Sequence, residues 1–191
     1  IAHISKTIEL NESFCHTIDV QGKIVTPGFI DQHVHITGGG GQQGYASLVP
    51  EVIMSELVAC GTTTVLGMLG TDGFAKELTT LYAKAKAIDD DGLSAYMLTS
   101  YYGLPTKTLM NSVADDLIFI DKVIGCKLAM SDDRSPFPTE QEILRIIHQV
   151  RLGGFTSGKG GILHIHLGAL PEGIEPLLNI ARHYPTLISY L

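Results

Sequence analysis

One order repeats along this chain: an apolar, β-branched run, then a segment with helical spacing. Thr62–Leu69, Leu93–Thr99, Val123–Met130 and Gly161–Leu167 read as strands that are apolar almost throughout. Such strands are buried on both faces, and their alternation with helices makes the sheet parallel. Ile24–Ile36 is an apolar run of the same kind, interrupted by Pro27-Gly28. Helical segments are expected at Pro50–Cys60, Phe74–Asp91, Asn111–Asp121, Thr139–Leu152 and Pro171–His183. In the first, Val52, Ile53, Leu57 and Val58 share a face. Gly92 stops the second. Thr139 with Glu142 three residues on forms a capping box, and Gly153-Gly154 is expected to end that helix. Thr186–Leu191 reads as the start of a further strand.

Two architectures fit a parallel α/β sheet: a doubly wound sheet and a (β/α)8 barrel. The count reaches five βα units and the start of a sixth. An eight-fold barrel usually takes about 250 residues, against 191 here. A barrel would therefore be truncated after about five units, and the chain is expected to be incomplete. Ahead of it, Ile1–Leu10 and the residues up to Val20 are strand candidates around a turn at Asn11–Ser13.

Composition excludes several classes. With 45% hydrophobic and 17% charged residues, the chain is too apolar for a disordered tail. No apolar run reaches the ~18 residues of a membrane span. A net charge of -7 argues against a nucleic-acid surface, which needs clustered Lys and Arg. Cys15, Cys60 and Cys126 are far apart and form no C-x-x-C, so a reducing, cytoplasmic setting is expected.

Three motifs carry chemistry. Asp31-Gln32-His33-Val34-His35 ends the first apolar strand, and residues two apart on a strand face one way. Two imidazoles on one face suit a divalent metal, or form a hydrogen-bonded core pair. Lys127 lies inside an apolar strand, where an unpaired ammonium is costly. It is either a stem reaching solvent at the strand end, a Schiff-base lysine, a carboxylate's partner, or a lysine carbamylated by CO2. His164 and His166 again share a strand face. His166, beside Leu167-Gly168, is the one expected at the carboxyl rim as a ligand, with His164 deeper or against a helix. Two glycine motifs are set aside. Gly39-x-Gly41-x-x-Gly44 is not followed at once by a helix, as a dinucleotide site needs. Gly153-x-x-x-x-Gly158-Lys159 lacks the Ser or Thr of a phosphate loop.

The run Gly22-Lys23-Ile24-Val25-x-Pro27-Gly28-Phe29-Ile30-Asp31-x-His33-x-His35 resembles the opening signature of the amidohydrolase superfamily. These are metal-dependent hydrolases on a (β/α)8 TIM barrel, with a small β-sandwich built from both chain ends. The glycine run Gly38–Gly41, Leu69-Gly70-Thr71-Asp72, Met97-Leu98-Thr99 and Ser131-Asp132-x-Arg134-Ser135 resemble the isoaspartyl dipeptidase family within it. The likeness covers about residues 20–191 and implies a division into a partial sandwich segment, 1–25, and an incomplete barrel, 26–191.

The resemblance further implies two Zn2+ ions per subunit. His33 and His35 would hold one, His166 the other, and Lys127, as a CO2-derived carbamate, would bridge them. Gly40, Gly41, Gln42, Thr71, Tyr102 and Arg134 would contact a small dipeptide, with Tyr102 also polarising the scissile carbonyl or holding its oxyanion. Arg134 would grip a substrate carboxylate. The product of these parts is hydrolysis of a β-aspartyl isopeptide bond, in a protein expected to be a homo-oligomer when complete. The alternatives are a cyclic-amide hydrolase of dihydroorotase or hydantoinase type, and a non-catalytic fragment. The family's general-base aspartate and a further metal-binding histidine are expected beyond Leu191. Gln42 stands where the family has a glutamate that pairs with the substrate's α-ammonium. A neutral amide can hydrogen-bond that ammonium without balancing its charge.

Overall fold

The computed structural model describes residues 2–8 and 14–191. Five parallel strands, β1 (Phe29–Val34), β2 (Thr62–Gly67), β3 (Ser94–Ser100), β4 (Val123–Met130) and β5 (Ile162–Leu167), pair in sequence order. They form a curled half-barrel, the architecture of a truncated TIM barrel. Helices α1 (Met54–Ala59), α2 (Leu78–Asp90), α3 (Val113–Phe119), α4 (Glu140–Ser157) and α5 (Glu175–His183) alternate with the strands.

The core lies between sheet and helices. Ile36, Leu69, Leu81, Met97, Leu117, Leu128, Ile143, Ile147 and Leu163 are all fully buried there. In α4 the buried residues Ile143, Ile146, Ile147 and Val150 fall at i, i+3, i+4 and i+7, a single face. Each contributes roughly 1.5–3 kcal/mol by burial. The capping box at Thr139 and Glu142 is present and contributes about 1 kcal/mol. Packing therefore decides that α4 forms, and the cap decides where it starts.

Gly153-Gly154 does not end α4, which runs to Ser157 and closes on Gly158 with φ 71°. Both glycines are contact points instead. A Cβ on Gly153 would lie 2.7 Å from Cβ of Leu117, and one on Gly154 would lie 2.7 Å from Cα of Gly161. The pair lets α4 close on α3 and on the entry to β5. Thr186–Leu191 is not a strand either: Pro185–Tyr190 forms a 3-10 helix. Leu187 and Tyr190, three apart, share a face in that geometry and pack against the core.

The strand candidate Ile1–Leu10 and the turn Asn11–Ser13 lie partly or wholly outside the described residues. Residues 2–8 and 14–28 carry no strand and are exposed. β1 pairs only with β2 among the described residues, and its Phe29 and Ile30 are 64% and 65% exposed.

Candidate functional site

The carboxyl ends of the five strands converge on one cavity of about 220 Å3. Its lining is His33, His35, Gly40, Gln42, Gly70, Thr71, Tyr102, Lys127, Arg134 and His166. This is the end at which parallel α/β sheets place their ligands. Of the residues to which the resemblance gives a site role, only Gly41 is absent from this lining. It borders an adjoining cavity of about 360 Å3 that shares Gln42, Thr71, Tyr102 and Arg134.

His33 lies in β1 and His35 just past its end, with ring centroids 5.5 Å apart. After His35 the chain folds back on itself. Gly40 bridges to Leu48, and the amide of Val49 donates to the carbonyl of Gly39. Gly38 and Gly40 have φ of 79° and 87°, and a Cβ on either would strike the carbonyl of Val49 or Ser47. Only glycine allows this return, which brings Gln42 to the cavity. The hydroxyl of Thr71 donates to the carbonyl of Gly40 at 3.0 Å, tying the turn after β2 to this loop. Gly70 leaves room for the ring of His35, since a Cβ there would lie 2.5 Å from Cε1.

Lys127 is 1% exposed, and its Nζ has no hydrogen-bond partner. Burial lowers its pKa to about 8. It pairs in register with Ser100 of β3 and His164 of β5. The histidines are driven towards their neutral forms. Burial, then the positive charge of Lys127, brings His33 down to about 4, and the same causes bring His164 down to about 4. Burial lowers His35 as well, and its Nδ1 is buried without a partner. Neutral imidazoles are donors that a divalent cation takes, and the buried, unpartnered Nζ of Lys127 beside them fits a lysine that is modified when the expected metal group is bound. Among the described residues, however, no three His, Cys, Asp or Glu side chains are gathered closely enough to hold an ion.

Tyr102 follows β3, and its ring lies 4.9 Å from that of His166. Burial and the neighbouring Asp132 carboxylate raise its phenol above the ordinary range. The hydroxyl itself is buried and has no hydrogen-bond partner. Arg134, after β4, lies over the Tyr102 ring at 5.7 Å. Asp132 accepts from Nε and a terminal nitrogen of Arg134 at 2.9 and 2.8 Å. Those contacts hold its carboxyl well below the usual range.

Sequence reasoning missed two residues. His164 is deeper than His166, as expected, in register with Lys127, but it is not turned against a helix: its Nε2 lies 3.0 Å from Nδ1 of His33, a contact the sequence reading did not foresee. The signal was its two-residue spacing from His166, which fixes the shared face but not how far the sheet curls. Asp132 was visible only as part of a motif. Its position between Arg134 and His166 depends on the turn after β4.

No family model matches the chain. It is 47% identical to the crystal structure of a β-aspartyl dipeptidase from the thermophilic, keratin-degrading Fervidobacterium islandicum AW-1, with a TM-score of 0.81. That match covers 82% of this chain and 43% of the other. The same enzyme in complex with the β-Asp-Leu dipeptide gives 48% identity and a TM-score of 0.80, covering 82% and 42%. Two curated relatives are more distant. An imidazolonepropionase of Ruegeria sp. (strain TM1040) is 31% identical over 103 residues, 51% of this chain and 25% of that protein. A dihydroorotase of Halalkalibacterium halodurans is 29% identical over 108 residues, covering 56% and 24%. The matched part is thus about a quarter of each curated relative and less than half of the dipeptidase.

Proposed function

We propose that this chain, which resembles amidohydrolases in sequence and β-aspartyl dipeptidases in both sequence and fold, carries part of a metal-dependent site that hydrolyses the β-aspartyl bond of isoaspartyl dipeptides. The observation that carries the reading is the convergence of His33, His35, Lys127 and His166 with Gln42, Thr71, Tyr102 and Arg134 on one cavity. Residues 1–25 are proposed to contribute to a small sandwich, and residues 26–191 to the barrel. Metal would be held by His33, His35 and His166, with Lys127 as a carbamate between two zinc ions. Bound zinc would supply a nucleophile at neutral pH by lowering the pKa of water to about 7.

This chain's own residues do the rest. At a pKa of about 8, a fraction of Lys127 is the neutral amine at pH 7. Its lone pair can attack CO2, and the released proton leaves a carbamate. The lowered pKa values of His33 and His35 favour neutral rings, each with one nitrogen that carries a lone pair. Arg134 offers its remaining N–H groups to the aspartyl α-carboxylate. Tyr102, protonated at any working pH, donates to the scissile carbonyl and stabilises its oxyanion. Gln42 accepts a hydrogen bond from the α-ammonium.

Gln42 also favours a second reading. A pocket with a neutral amide there is less committed to a cation, which suits a cyclic amide of dihydroorotate type. The test is a substrate panel of β-Asp-Leu, α-Asp-Leu and dihydroorotate, run on the complete protein before and after chelation. Cleavage of β-Asp-Leu alone, lost on chelation and restored by zinc, is expected. Turnover of dihydroorotate alone would favour the second reading.

A further inference from the structure

We infer that Asp132 is a positioning residue for both Arg134 and His166, an inference that rests on the reading of the cavity just proposed. Its Oδ1 accepts from the backbone amide and Nε of Arg134, each at 2.9 Å. Its Oδ2 accepts from a terminal nitrogen of Arg134 at 2.8 Å and lies 3.1 Å from Nε2 of His166. One carboxylate therefore holds the guanidinium in a two-point fork and meets the imidazole as well.

Each contact has a chemical consequence. The fork fixes the plane of Arg134 and uses two of its five N–H groups, leaving the others for a ligand. A carboxylate only accepts, so Nε2 of His166 must carry the hydrogen. With Nε2 committed to the carboxylate, Nδ1 is the nitrogen left to face a cation, the arrangement in which a carboxylate orients a metal-binding histidine. A single residue thus sets how the cavity grips an anion and which nitrogen of His166 can bind a cation.

The mount is rigid enough for the task. Asp132 is 6% exposed. It follows Ser131, which adopts φ 52°. The segment after β5 clamps this turn. The amides of Gly168 and Leu170 donate to the carbonyls of Met130 and Ser131, and the Ser131 hydroxyl donates to the carbonyl of Gly173. A Cβ on Gly168 would lie 2.4 Å from Cβ of Asp132, so only glycine permits the approach. Asp133, beside it, is different: its side chain is 85% exposed, and it meets Arg134 only at 3.6 Å.

The test compares D132N, D132E and D133N in the complete protein. Zinc affinity is read by competition with a chelator. Steady-state kinetics are read on β-Asp-Leu and on β-alanyl-leucine, which lacks the aspartyl α-carboxylate. In D132N the amide nitrogen must face either Arg134 or His166. The expected results are a zinc affinity lower by about 10–100-fold and a preference for β-Asp-Leu over β-alanyl-leucine reduced about tenfold. D133N should match wild type in both. Wild-type zinc affinity and preference in a folded D132N, with only the melting temperature lowered, would overturn the inference. If D132N does not fold, D132E decides: its longer arm displaces both contacts, so intermediate losses support the inference and wild-type values overturn it. The zinc measurement needs no substrate. A protein that cleaves neither peptide would sink the proposed function, while zinc affinity would still decide whether Asp132 orients His166.

Discussion

Nε2 of His164 lies 3.0 Å from Nδ1 of His33, so side chains of β5 and β1, the outermost strands of the sheet, meet across its concave face. Curling of the sheet brings them together, since the four strand-to-strand steps between them would hold them far apart in a flat one. With the buried amine of Lys127 close by, this contact makes the concave face a place for neutral nitrogen donors.

Lys127 is the residue whose cost is most exposed to test. A fully buried, unpartnered ammonium destabilises the metal-free fold. Lys127→Met keeps the volume and removes the charge, so the metal-free variant is expected to gain about 3 kcal/mol at pH 7, the cost implied by the lowered pKa. The sign with pH follows from the lowered pKa. Between about 8 and the ordinary value of 10.5 the unfolded chain binds more protons, so wild-type stability rises through that window and the methionine advantage shrinks. The same variant should lose zinc binding. Chemical denaturation from pH 7 to 10.5 and zinc titration check both halves. A methionine variant less stable than wild type would contradict the account.

Much of this was legible in the sequence. The apolar runs gave four of the five strands to within about two residues, because buried parallel strands leave an unmistakable pattern. His33, His35, Lys127 and His166 stood out because polar residues in such runs need a reason. What could not be read were contacts set by backbone approach. Gly153 and Gly154 look like a helix stop until Leu117 and Gly161 are seen against them. The 3-10 helix at Pro185–Tyr190 depends on the core that Leu187 and Tyr190 find. The hold of Asp132 on His166 joins residues 34 apart, through a turn no local pattern specifies.

Asp116 anchors the loop that carries Tyr102. It is fully buried and accepts from the Thr99 hydroxyl and from the amides of Leu109 and Met110 at 2.9 and 2.7 Å. Asp116→Ala leaves the two amides unsatisfied, while the Thr99 hydroxyl keeps the carbonyl of Lys107 as an acceptor at 3.3 Å. Each amide costs about 1–3 kcal/mol, so a loss of roughly 2 kcal/mol or more is expected. Urea denaturation measures it, and a loss under 1 kcal/mol would mean that the loop is held by something else.

Asp89 gives a pH signature away from the site. Its carboxylate pairs with Lys122 and accepts from the amide of Ala95 at 3.0 Å, which lowers its pKa. Asp89→Asn should cost about 1 kcal/mol at pH 7, the upper range for a solvent-screened pair. A depressed carboxylate pKa stabilises above the unfolded value near 4 and loses that contribution as pH falls through the folded one. Wild type and variant should therefore differ by a constant amount from pH 7 to about 5 and converge below about 4. Thermal melts across that range test it, and a gap that persists at pH 2 would rule out the ion pair as its source.

Gln42 lines both cavities and is predicted to face the substrate's amino group. Gln42→Glu adds a charge-assisted contact, worth about 1.5–3 kcal/mol against roughly 1 for a neutral one. In the complete protein, kcat/KM for β-aspartyl dipeptides is expected to rise from a few-fold to about thirtyfold. The gain should shrink for N-acetylated substrates. Equal gains on both, or none, would mean that residue 42 does not meet the ammonium.

The central claim is that His33, His35, Lys127 and His166 form a metal centre. Anomalous diffraction at the zinc edge, from crystals of the complete protein grown with zinc and bicarbonate, tests it most directly. The account predicts two peaks in the cavity, one about 2.0–2.1 Å from nitrogens of His33 and His35, the other the same distance from a nitrogen of His166. Density from Nζ of Lys127 should continue as a carbamate between them. A bare Lys127 with no anomalous peak in the cavity would contradict it.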